Sequence, residues 1–135
     1  MHLARALVLA VFVPVLACAP PRRDVAAADV PKLKSLEEVM DAQATTADPE
    51  MKKIGHATYS DADYAAFTET ASRIGATSTK IKEFSKGPGF DRFADDLHGA
   101  AERLGTAAAA KDPKGSSDAL AAMKAACKGC HSAFR

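Results

Sequence analysis

Several features that define other classes of protein are missing from this 135-residue sequence. Lys and Arg (18) nearly balance Asp and Glu (17), which gives a formal net charge of +1 at pH 7. Without a basic excess, or a basic stripe interleaved with aromatic residues, the chain is not expected to bind nucleic acid. Val and Ile are few after Lys32, and no alternating run is long enough for a β-strand, so a β-sheet is not expected either.

The residue groupings typical of catalytic sites are missing as well. No pair of carboxylates, and no nucleophile beside a base, stands in evident relation along the sequence. No internal repeat stands out. We therefore do not expect an enzyme.

The longest apolar stretch is too short to span a membrane and is typical of an export signal. It runs from Leu7 to Val13, follows the basic Arg5, and ends in the small residues of Val15-Leu16-Ala17-Cys18. These four residues also resemble a bacterial lipobox, which implies that the cysteine becomes the lipidated first residue of the mature protein. The alternative is a conventional signal peptide that is cleaved after Ala19 or Ala28.

The predicted organisation has three parts. Residues 1–17 form an export or lipoprotein signal, residues 18–31 form a flexible tether, and residues 32–135 form one domain. A protein exported and anchored in this way is expected in the bacterial periplasm, attached to a membrane through lipidated Cys18.

The C-terminal region carries the motif Cys127-Lys128-Gly129-Cys130-His131, which is the attachment signature of c-type haem. Two cysteines three positions apart lie on one face of a helical turn, where their sulfurs can add to the two vinyl groups of one porphyrin. The adjacent His131 presents its imidazole to the iron. The motif predicts one haem c, bound covalently through Cys127 and Cys130 and ligated by His131.

Three alternative roles for this motif are weaker. A dithiol of the thioredoxin kind is expected at the start of a helix that follows a strand, and no strand signal precedes the motif. A structural zinc site needs four ligands, and the rest of the sequence offers Cys18, His56 and His98. Chance occurrence on an ordinary helix is the third alternative.

Hydrophobic spacing from Lys32 onward predicts an all-α protein with four amphipathic helices. Ser35 and Glu38 form a capping box at the start of the first helix, whose inward face includes Met40 and then Gln43 or Ala44. Short or modest loops favour an antiparallel up-down-up-down four-helix bundle, with the haem motif near the C-terminal end of the fourth helix. The predicted helices run from Ser35 to Pro49, from Ser60 or Asp61 to Gly87, from about Asp91 to Ala110, and from Ser116 or Ser117 onward.

A four-helix bundle that ends in Cys-x-x-Cys-His131-x-x-Phe134-Arg135 resembles the cytochrome c′ superfamily. It also resembles the soluble four-helix b-type cytochromes, which share the fold but lack the thioethers. The segment Leu36–Met40 adds a likeness in the first helix, where an inward residue faces the iron from the distal side. The resemblance implies this place for Met40, either as the sixth ligand of a low-spin iron or as a cover over five-coordinate iron.

Bundle geometry independently brings Met40 and His131 together. Met40 lies five residues into the first helix and His131 lies four from the end of the fourth, so at about 1.5 Å per residue both are near the same end of the bundle. Met51 and His56 lie too far along the chain to reach that end. His98 lies at the correct end but flanks the core face, which makes it a weaker ligand candidate. Met40 also fits an ordinary core position.

Aromatic and basic residues are predicted around the same site. Arg135 matches the basic residue that follows the motif in the family, which implies a contact with the proximal face or with a haem propionate. Lys34 and Arg92 are weaker propionate candidates. Four aromatic residues fall at the haem end of the bundle, where each also suits a core position: Phe84, Phe90, Phe93 and Phe134.

The role of Met40 divides the functional predictions. A thioether ligand favours ferrous iron and predicts a one-electron carrier that works with a redox partner protein. A Met40 that only covers the iron predicts binding of small neutral gases such as nitric oxide or carbon monoxide. We favour electron transfer with His131 and Met40 as axial ligands; a structural or docking module is expected only if no haem is incorporated. Homodimers are common in the family, but the exposed faces carry too little apolar character to predict a homodimer from this sequence.

Overall fold

A computed structural model of the protein describes residues 24–134. The described part of the chain is all-helical and contains no β-strand. Its four long helices pack as a four-helix bundle, which confirms the predicted fold class. A 3₁₀ turn precedes the bundle at Ala27–Lys32 and another follows α2 at Ile81–Phe84, and the long helices are α1 (Leu36–Met51), α2 (Asp61–Lys80), α3 (Pro88–Ala109) and α4 (Pro113–Phe134).

Side-chain caps fix the first two helix starts. Ser35 Oγ accepts a hydrogen bond from the Glu38 backbone N–H at 3.2 Å, while the Glu38 carboxylate accepts one from Lys34 N–H at 2.7 Å. At the start of α2, Ser60 and Asp63 cap each other reciprocally, with Ser60 N–H donating to Asp63 Oδ2 at 2.9 Å. Both predicted starts are confirmed, because these caps satisfy N–H groups that the first helical turn leaves unpaired.

The predicted end of the first helix at Pro49 is wrong, because α1 continues to Met51. A proline removes one N–H donor from the helix, and near the last turn this loss affects only the final hydrogen bonds. The chain then closes another turn, in which Lys53 N–H donates to the Glu50 carbonyl at 2.9 Å.

The predicted starts of the last two helices are also wrong, because α3 begins at Pro88 and α4 at Pro113. Proline suits the first helical position, where its missing N–H would have had no intrahelical partner. Gly87 precedes α3 with a φ of 109°, which favours glycine. Before α4, Asp112 Oδ1 accepts a hydrogen bond from Gly115 N–H at 3.0 Å.

Two clusters of buried residues form the core. The central cluster fills the middle of the bundle around Phe67, Leu104 and Met123, each with 0% exposure. The second cluster lies where α1 begins, and the half-buried Met40 and Cys130 pack against it. None of the helices described between residues 24 and 134 is both long and apolar enough to cross a bilayer.

Candidate functional site

A groove of ≈ 500 Å³ opens between the start of α1 and the end of α4. It exists because α1 packs mainly against α2 and touches α4 at few positions. Met40 lines the groove from α1, while His131 lines it from α4. Its full lining is Leu36, Glu37, Met40, Lys86, Phe90, Cys130, His131 and Phe134.

A smaller cavity of ≈ 30 Å³ adjoins this groove. The two spaces share four lining residues, namely Met40, Phe90, Cys130 and His131. Cys127 lines the inner cavity, so both cysteines of the motif reach the same continuous site. The fold therefore gathers two thiols, an imidazole and a thioether around one space.

Both cysteines are free thiols in the described part of the chain. Burial raises the pKa of the Cys127 thiol, and the nearby negative charge of Asp48 raises it further. Burial also raises the pKa of Cys130, although the positive charge of Lys86 partly opposes this effect. Each thiol therefore stays protonated near neutral pH, in contrast to reactive dithiols, whose surroundings lower the thiol pKa.

Three of the predicted aromatic residues form one cluster beside the cysteines. The Phe134 ring meets Phe90 edge to face, with centroids 5.4 Å apart, and meets Phe93 at 6.3 Å. Phe93 also packs directly on the turn between the two cysteines, since a Cβ at Gly129 would lie 2.6 Å from Phe93 Cε1. Phe84 packs against the second core cluster, as Phe134 does, but it lines neither the groove nor the inner cavity.

Gln43, to which the sequence alone assigns no role, lines the inner cavity three residues after Met40. Gln43 is only 7% exposed, and its Nε2 has no hydrogen-bond partner among the described residues. A buried donor without a partner costs about 1–3 kcal/mol. Helical spacing already indicated an inward position for Gln43 or Ala44, but only the structure shows an unpaired amide beside Met40.

Lys86 is a second residue that the sequence did not point to. It precedes α3 and lines the outer groove, where its charge acts on the Cys130 thiol. A lysine in a loop has no periodicity, so nothing in the sequence linked it to the site. Its ammonium group brings a positive charge to the groove, which the Glu37 carboxylate also lines.

The weaker ligand candidates lie elsewhere. His98 Nδ1 lies 3.1 Å from Ser78 Oγ, so this histidine joins α3 to α2. His56 stacks on Tyr59 with ring centroids 6.1 Å apart, and Met51 packs against the central cluster.

The basic candidates and the lipidation candidate have different positions. Arg92 lies over the Phe93 ring, 5.4 Å from its centroid. Lys34 lies just before α1, where its N–H joins the cap of that helix. The predictions for Cys18 and Arg135 fall outside the described residues.

The residues of the groove fit a haem c. Two thiols one helical turn apart suit the two vinyl groups, and an imidazole and a thioether are both iron ligands. The aromatic cluster offers apolar surface to a porphyrin, and Lys86 offers positive charge to its propionates. The buried Gln43 amide lacks a hydrogen-bond partner among the described residues, which is consistent with a site that is complete only when a group is bound in it.

Comparison with known proteins gives a consistent result. The family model described as Cytochrome C' matches residues 26–135. A curated relative, the cytochrome c' of Pararhodospirillum photometricum, is 41% identical over 71 residues. That alignment covers 53% of this chain and 57% of the relative, so the chain spans little more than half of the relative's length. No solved structure gives a significant match.

Proposed function

This chain belongs to the cytochrome c′ family of c-type haem cytochromes, and from this premise we propose that it transfers single electrons through one haem c held between His131 and Met40. The observation that carries the proposal is the shared groove, which Met40 lines from α1 and His131 lines from α4. When bound, the haem iron supplies a one-electron ferric/ferrous couple.

Cys127 and Cys130 would attach the haem as thioethers. Each S–H would add across one vinyl C=C bond of the haem, which would form a carbon–sulfur bond and leave the hydrogen on the neighbouring vinyl carbon. No oxidant is consumed. The packing of Phe93 on Gly129 holds the turn between the two cysteines.

The remaining groove residues would tune and orient this centre. The Met40 thioether favours the ferrous state and raises the reduction potential. Phe90 and Phe134 restrict water on the apolar side, while Lys86 offers charge to a propionate at the mouth. Because the groove is open to solvent there, a redox partner protein could approach the haem edge directly.

Gas binding is the second candidate function. The inner cavity beside Met40 is lined mostly by apolar side chains, including Ile81 and Leu97. Such a cavity would admit a small neutral molecule such as nitric oxide or carbon monoxide if Met40 only covered the iron. In either case the protein is proposed as a carrier or binder and not as an enzyme.

Met40→Ala in the purified holoprotein tests the proposed ligation. The wild-type protein is expected to show sharp low-spin bands, a weak ferric sulfur-to-iron charge-transfer band, and no response to carbon monoxide. Met40→Ala is expected to lose the sulfur band and to bind carbon monoxide. Met51→Ala is the matched control, since Met51 packs against the central cluster, and it should retain both wild-type properties.

A wild-type protein with broad high-spin bands and ready carbon monoxide binding would contradict Met40 ligation. The gas-binding function would then replace electron transfer. A sulfur band that persists in Met40→Ala would show that another residue is the sixth ligand.

Export to the bacterial periplasm and membrane anchoring through Cys18 are part of the same proposal, and they rest on the lipobox-like sequence. In cells, Cys18→Ala is expected to move the protein out of the membrane fraction, and intact mass spectrometry of the wild type should show a lipid-modified N-terminal cysteine. An unmodified N-terminus that begins after Ala19 or Ala28 would favour a conventional signal peptide.

A further inference from the structure

Gln43 is a buried polar residue that has no role in the proposed attachment or ligation of the haem. Its side chain lines the inner cavity, its exposure is 7%, and its Nε2 has no partner in residues 24–134. Buried N–H donors are rarely left unpaired in folded proteins. The amide is therefore expected to find an acceptor once the site is complete.

Met40 is an acceptor on the same helix that lines the same cavity as Gln43. Residues three apart on a helix have Cβ atoms about 5–6 Å apart on one face, and Met40 and Gln43 both line the cavity. A thioether sulfur is a weak hydrogen-bond acceptor. The cavity's other polar side chains, Cys127, Cys130 and His131, would be occupied by bonds to the haem in the proposed function.

We propose that Gln43 is a positioning residue for the sixth ligand and that it donates its amide N–H to the Sδ atom of Met40. This inference rests on the proposed ligation of the iron by Met40. The hydrogen bond would hold the thioether in its ligating orientation. It would also lower the energy of the sulfur lone pair from which the sulfur-to-iron charge-transfer transition starts.

Gln43→Leu tests this role because leucine has similar size but no N–H donor. In the ferric holoprotein, the variant is expected to remain low-spin, with its sulfur-to-iron band shifted to longer wavelength. Ser116→Ala is the matched control. Ser116 is also fully buried, with an Oγ that lacks a partner in the described chain, but it lies at the opposite end of α4 from His131. The control should leave the band unchanged.

The outcomes separate this inference from the proposed function. A wild-type sulfur band that is identical in Gln43→Leu would overturn the role of Gln43 and leave Met40 ligation standing. An equal band shift in Ser116→Ala would also overturn it, because the shift would then follow from the loss of any buried polar group. Absence of the band from the wild type would overturn both. If Gln43→Leu does not fold, Gln43→Ala removes the same donor and gives the same expected shift.

Discussion

Single side chains differ in how much of their role the sequence reveals. The roles proposed for Cys127, Cys130 and His131 come from the sequence alone, because attachment to one porphyrin would require a fixed local spacing, which is visible in five consecutive residues. Met40 is predictable from its depth in a helix and from a family resemblance. Gln43 and Lys86 are not, because their importance depends on which segments meet at the groove, and that is decided only by tertiary packing.

Gly129→Ala is expected to destabilise the protein, although alanine is the better helix former. The new Cβ would lie 2.6 Å from Phe93 Cε1, and overpacking of this kind costs about 1–3 kcal/mol against a helix-propensity gain of about 1 kcal/mol. The free energy of unfolding, measured by chemical denaturation of the holoprotein, is therefore expected to fall by up to about 2 kcal/mol.

Gly75→Ala is the control for this substitution. Gly75 lies within α2, and a Cβ there would meet nothing within 4 Å. Its replacement is expected to raise the free energy of unfolding by about 0.5–1 kcal/mol. Equal effects of the two substitutions would contradict close packing of Phe93 on Gly129.

At the scale of helices, capping residues predict where a helix begins better than prolines do. Ser35 and Ser60 mark helix starts correctly because their hydroxyls accept from backbone N–H groups three residues later. Pro88 and Pro113 suggest breaks in the sequence, yet each begins a helix. A proline permits both outcomes, and the difference depends on whether the residues around it can support a first turn, as Gly87 and Asp112 do here.

The start of α2 predicts a pH dependence of stability. Lys53 Nζ lies 2.8 Å from Asp63 Oδ1 and, together with hydrogen bonds from Ser60, holds the pKa of Asp63 well below its usual range. A carboxyl whose pKa is lower in the folded state stabilises the fold above its unfolded pKa of about 3.9, and that contribution is lost as the pH falls below this value. Asp63→Asn should therefore lower the melting temperature near neutral pH.

The difference in melting temperature between wild type and Asp63→Asn should shrink as the pH falls from about 7 to 3. Circular dichroism melts at several pH values measure it. Asp118→Asn, which removes an exposed ion pair with Lys114 on α4, should change the melting temperature little at any pH. A constant difference for Asp63→Asn across this range would contradict the depressed pKa.

At the scale of the whole molecule, the bundle leaves its first and last helices apart at one end. Antiparallel topology lets the sequence predict that Met40 and His131 share this end, since helix lengths fix their depth. The groove itself is not predictable, because it arises from α1 packing on α2 more closely than on α4. Predictions for Cys18 and Arg135 stay predictions, as both lie outside residues 24–134.

Replacing both thiols tests whether the protein retains its haem through covalent attachment to the two cysteines. Cys127→Ser/Cys130→Ser is expected to lose all haem that survives denaturing electrophoresis, as detected by haem staining. It should also melt at a lower temperature than the wild type, because a bound group stabilises only the folded state. Lys128→Ala is the control between the two cysteines, and it should retain the stain. Denaturation-resistant haem in the double variant would contradict thioether attachment.

X-ray absorption at the iron edge of the ferric and ferrous holoprotein tests the central claim most directly, because it identifies the atoms bound to iron. Ligation by His131 and Met40 predicts a sulfur neighbour in addition to the porphyrin and imidazole nitrogens in both oxidation states. Iron without a sulfur neighbour would contradict the proposed electron carrier, and five nitrogen neighbours with no sixth atom would identify an open position suited to gas binding.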